Sequence, residues 1–150
     1  METFLNILIK SHSGLRWIVL ILLLAAIGKA FMGWRKKSEF TQGDKKVAMF
    51  AMVLFQLQWV IGLVLYFTSV KVSFIEGFMK IPMLRFYGLE HIAGMTIAFI
   101  LITIGHSKSK KVEDGPGKFK KIFVFYTIAL IIIIASIPWP FRQALGGSWM

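Results

Sequence analysis

The sequence predicts an all-α membrane protein, a single domain (1–150) built as a bundle of four transmembrane helices. Three observations carry this. The 150 residues are 57% hydrophobic with a mean hydropathy of +0.70, above the roughly half-apolar composition of a soluble domain. The apolar residues gather in four blocks of about 20 residues, each enough to cross a ~30 Å hydrocarbon layer. The basic residues gather between the blocks, in the loops.

The chain opens on METFLNILIK. Phe4, Leu5, Leu8 and Ile9 sit there at helical spacing, which fits either a short N-terminal interfacial helix or the upper turns of the first span. Gly14 offers a break after it. The first span covers 15–34, with Trp17 and Trp34 as interfacial anchors and Lys29 long enough to reach the headgroups. A loop holding Arg35, Lys36, Lys37, Lys45 and Lys46 leads to the second span, 47–69, which carries Gln56, Gln58 and Trp59 in its middle. In the next loop Phe74, Ile75, Phe78 and Met79 suit a membrane surface, and Pro82 suits the first turn of a helix. The third span is 85–105, RFYGLEHIAGMTIAFILITIG. A lysine-rich loop follows, with a turn expected at Gly115-Pro116-Gly117. The fourth span, 119–141, ends at Pro138-Trp139-Pro140, where two residues lack the N–H a helix needs.

Composition excludes several classes. With no cysteine, there can be no disulfide, iron–sulfur cluster, thiolate zinc site or covalently attached haem. The net charge of +11 is placed for a membrane rather than for nucleic acid. The first and third loops concentrate the lysines and arginines, which is the positive-inside pattern with attraction to anionic headgroups. Both termini are then expected on the non-cytoplasmic side of a bacterial inner membrane. No nucleophile–base set, phosphate loop or paired-histidine metalloprotease motif occurs.

This topology brings the unusual polar residues toward one membrane face: His12 and Arg16 from helix one, Arg85, Glu90 and His91 from helix three, Arg142 beyond helix four, and Gln58 from helix two. Ionisable groups at membrane depth are costly and mark function by default. At 100° per residue, His91 shares a face with Gly88, Gly94, Met95, Ala98, Ile102 and Gly105, small residues that let helices approach closely or leave room for a flat cofactor. The sharpest reading is one b-type haem, its iron held by His12 and His91. Helix one must then continue upward through His12, or helix three must tilt, because the pair is otherwise staggered. The competing reading makes both histidines packed or interfacial polar residues. Glu90 is expected to face a neighbouring helix and an arginine. It either forms a structural ion pair, relays protons with His91, or joins Arg16 in holding haem propionates or a quinone headgroup. Gln58 is either interhelical glue or a cofactor contact, and His106, about 22 Å from His91 along the axis, reads as a solvated helix end.

The segments HSGLRWIVLILL, EHIAGM, SKSKK and IPWPFR resemble a family of small bacterial four-helix membrane proteins labelled cytochrome-b-like. The likeness covers 12–143 and implies electron transfer through a b-haem, with His12 and His91 at the matching positions. The functional expectation is a b-haem or quinone-associated electron-transfer protein, either alone or as a subunit of a respiratory assembly. The alternative is a non-catalytic accessory subunit that packs on a larger membrane protein complex and binds no cofactor. Either way the lipid bilayer is a partner.

Overall fold

The computed structural model describes residues 2–149. Four long helices follow one another: α1 Glu2–Arg35, α2 Gln42–Thr68, α3 Pro82–Lys110 and α4 Gly115–Ser136. All four are long and apolar enough to cross a membrane. Each packs antiparallel on the next and α4 closes back on α1. The core is a narrow seam of Leu23, Ala26, Ala51, Phe55, Ala98, Ile102, Tyr126 and Ala129. Large apolar side chains such as Ile21, Leu24, Phe50, Val60, Ile100 and Ile131 point outward. Exposed residues that are as apolar as the core suit a hydrocarbon solvent.

Helix ends differ from the expected spans because caps set them. α1 runs unbroken through Gly14, since a single glycine costs a helix only about 1 kcal/mol. Residues 2–10 are therefore the upper turns of the first long helix and not a separate interfacial helix. α2 starts at Gln42 because Thr41 and Asp44 form a reciprocal capping box, satisfying two otherwise orphaned N–H groups. Lys29 pairs with the same Asp44 at 3.1 Å. Gly115-Pro116-Gly117 is the first turn of α4 and not a loop turn. Asp114 caps it, accepting from the Gly117 amide at 2.7 Å, and proline is tolerated where no helical donor is needed.

Two local breaks shape the end opposite the lysine-rich loops. α3 passes through a π-helical turn, Phe86–Glu90. α4 stops at Ser136, short of the expected 141, and its last carbonyls are capped by side chains. Pro138 and Pro140 cannot donate to the carbonyls of Ile134 and Ser136 four residues earlier. Trp139 Nε1 donates to Ile134 instead, at 2.8 Å, and Arg142 donates to Ala135 and Ile137 at 3.2 and 3.3 Å. The chain then folds back over the bundle end, where Trp149 stacks on Trp17 with ring centres 6.0 Å apart.

Candidate functional site: a histidine pair in a four-helix cavity

The side chains of all four helices meet around a partly open cavity of about 190 Å³. His12, Arg16, Gln58 and His91 line it together with Gly62 and Tyr87. Sequence topology had brought the first four to one face, and the fold brings them to one chamber.

His12 lies deep because α1 continues above it. Glu2 is about 15 Å above His12, and Thr68 is about 15 Å above Gln58 on the neighbouring helix, so the two ends are level. The Gln58 amide donates to the His12 carbonyl at 2.6 Å, which locks that register. The imidazole occupies the place a side chain would take at Gly62: a Cβ there would stand 2.9 Å from His12 Cε1. His12 Nδ1 and Gln58 Oε1 are sealed in the interior with no hydrogen-bond partner. Buried polar atoms without partners are rare and call for an explanation.

His91 follows the π turn. Its Nδ1 lies 2.7 Å from the Ser136 carbonyl, one of the last carbonyls of α4, which have no donor within the helix. Only a protonated Nδ1 can bond a carbonyl, so Nε2 is the unprotonated nitrogen. Phe86 packs on the His91 ring at 5.6 Å, and the Arg142 guanidinium covers Phe86 at 4.9 Å. The two imidazole ring centres are 6.4 Å apart, with planes at 73°.

Arg16 stands at the rim. Its guanidinium donates to the Trp149 carbonyl at 2.7 Å, while its Nε is buried without a partner. Lys71, the other charged residue lining the cavity, lies over the Tyr87 ring at 5.1 Å. No carboxylate lines the cavity among the described residues.

Glu90 and Arg142 stand outside this lining. Glu90 pairs with Arg85 at 2.7 Å, so its partner is on its own helix and not across an interface. In a regular α-helix residues five apart point about 140° away from each other. The π turn between them removes much of that angle. Arg142 acts behind Phe86 and on the end of α4. The glycines of α3 also have a definite use. A Cβ at Gly94 would meet Ser136, and one at Gly105 would meet Phe125, so these positions serve close α3–α4 packing and do not leave space for a ligand. His106 is buried rather than solvated, only 4% exposed. Tyr66 and Trp59 complete the wall, the Tyr66 hydroxyl donating to the Gly88 carbonyl at 3.0 Å and Trp59 to Thr96 at 3.2 Å.

What can two imidazoles do here? Among the described residues no group of three histidine or carboxylate side chains could hold a metal ion, so a zinc site of protein ligands alone is not built. A metal that brings its own equatorial nitrogens needs only two protein ligands. A metal–imidazole bond is about 2 Å long, and two such bonds extended to the ring centres span about 6 Å. The observed ring-centre separation is 6.4 Å. Compared with known protein families, with curated proteins and with solved structures, the chain matches none.

Proposed function

We propose that this chain is a small membrane electron-transfer protein that holds one b-type haem between His12 and His91. The observation that carries the reading is the histidine pair, whose ring centres lie 6.4 Å apart in a partly open cleft lined by side chains of all four helices. Such a haem supplies a one-electron couple. The rest of the work falls to the chain. The Ser136 carbonyl accepts from Nδ1 and so leaves Nε2 as the nitrogen that would bind the haem iron, and a carbonyl in this position is a usual outer partner of a ligating histidine. His12 is held through its backbone by Gln58 and through its ring by Gly62. Val19, Leu20, Ile92 and Ile133 supply apolar walls that lower the local dielectric. Arg16 and Lys71 place positive charge at the rim, with no competing carboxylate, where haem propionates need partners. The likeness to cytochrome-b-like proteins points the same way. The setting is a bacterial inner membrane with both termini outside, as the loop lysines favour.

The test is a reduced-minus-oxidised visible spectrum of protein purified in mild detergent after expression with ample haem. A b-type band is expected in the wild type, and its loss in His12→Ala and in His91→Ala. A wild type without the band would overturn the reading in favour of a cofactor-free accessory subunit. A band surviving both substitutions would refute this pair as ligands.

A further inference from the structure

The opposite end of the bundle carries a second cavity, of about 320 Å³, between the start of α2, the end of α3 and the start of α4. Its walls include Lys45, Lys110 and Lys118, one from each helix, with Thr41, Gln42 and His106. No carboxylate lines it among the described residues. Asp44, the nearest acid on α2, is engaged by Lys29 and Thr41. Three lysines from separate helices line this one space, and their charges repel each other unless an anion lies among them.

Two further features point at that anion. The space abuts the N-terminus of a 27-residue helix, the positive end of the helix dipole. Its capping box satisfies the Thr41 and Asp44 amides and leaves those of Gln42 and Gly43. Independently, His106 lines the cavity at 4% exposed, with its Nδ1 buried and without a hydrogen-bond partner. Lysines at a membrane surface are ordinary. A buried imidazole with an unused nitrogen beside three of them is not explained by surface solvation.

We propose that this cavity binds a phosphoryl anion, gripped by Lys45, Lys110 and Lys118, the α2 N-terminus and His106. Donors converging from three helices suit a tetrahedral group with several acceptor oxygens better than a planar carboxylate. The volume is at the lower end of small-ligand sites. The phosphate belongs either to the headgroup of an anionic lipid, since the cavity sits at the level of the lysine-rich membrane face, or to a soluble phosphate compound.

The experiment uses the whole protein in discs of zwitterionic lipid. One arm adds phosphatidylglycerol to the discs and measures lipid retained through detergent exchange. The other titrates inorganic phosphate and follows thermal unfolding. Saturable binding in either arm supports the site, and the arm that responds identifies the source. Lys45→Gln/Lys110→Gln is expected to weaken that binding at least tenfold. Lys36→Gln/Lys37→Gln removes the same charge outside the cavity and is expected to change it less than twofold. His106→Gln is expected to weaken it several-fold. Equal losses in the two lysine pairs would show diffuse attraction only and overturn the proposal. So would the absence of saturable binding in both arms.

Discussion

Gly62 is where packing and the histidine pair can be tested by one methyl group. Replacing it with alanine sets a Cβ 2.9 Å from His12 Cε1, against an ordinary carbon–carbon contact of about 3.5 Å or more. The ring has to retreat by about half an ångström, and the Gln58 bond on its backbone resists a shift of the whole residue. Alanine also gains about 0.5–1 kcal/mol over glycine inside a helix, which would obscure the clash if it were measured alone. Gly28 removes that difficulty, because it is also within a helix and a Cβ there meets nothing within 4 Å. Gly28→Ala should therefore stabilise by about 0.5–1 kcal/mol. Gly62→Ala should lie below it by the overpacking cost alone, about 1–3 kcal/mol. Equilibrium unfolding of both variants in mixed micelles gives the difference directly. If haem binds as proposed, Gly62→Ala should also retain less of it and Gly28→Ala as much as wild type. Equal stabilisation by the two substitutions would refute the placement of the His12 ring against Gly62.

Four further outcomes follow from the same geometry. Gly105→Ala should cost about 3 kcal/mol in the same unfolding assay, because the new methyl meets Phe125 close to its backbone and the two helices must part. Tyr126→Phe should cost about 1 kcal/mol, losing the 2.8 Å bond to the Ala48 carbonyl while leaving that carbonyl its own helical donor. Glu90→Gln should leave the haem spectrum unchanged and alter stability by less than about 1 kcal/mol, since the Arg85–Glu90 pair is 40% and 43% exposed. A reporter fused to the C-terminus should be active only outside the cytoplasm, and activity confined to the inside would reverse the proposed orientation.

The four helices were legible because hydropathy over 20 residues is a strong and local signal. Their ends were less so. Thr41 with Asp44, and Asp114 ahead of Pro116, are readable caps, yet they lie in charged stretches that a hydropathy reading gives to the loops. The convergence of His12, Arg16, Gln58 and His91 followed from topology. The depth of His12 did not, because it depends on α1 passing through Gly14 and on the Gln58 register bond. Glu90 was assigned an interhelical partner because a π turn has no sequence pattern, and that turn is what swings Arg85 within reach. His106 looked solvated because the lysines after it dominate the local sequence, whereas its burial comes from α2 and α4 packing around it. The acceptor for His91 was not legible, because it depends on where α4 ends and on the side chain of α3 that reaches that end.

That dependence on the last helix also orders the molecule's birth. His12 is made early in synthesis and His91 later, but the carbonyl that orients His91 belongs to Ser136, at the end of the fourth helix. A chain halted after α3 would hold both imidazoles with no means of aiming one of them. The His91 contact is thus completed only once the fourth helix has been made.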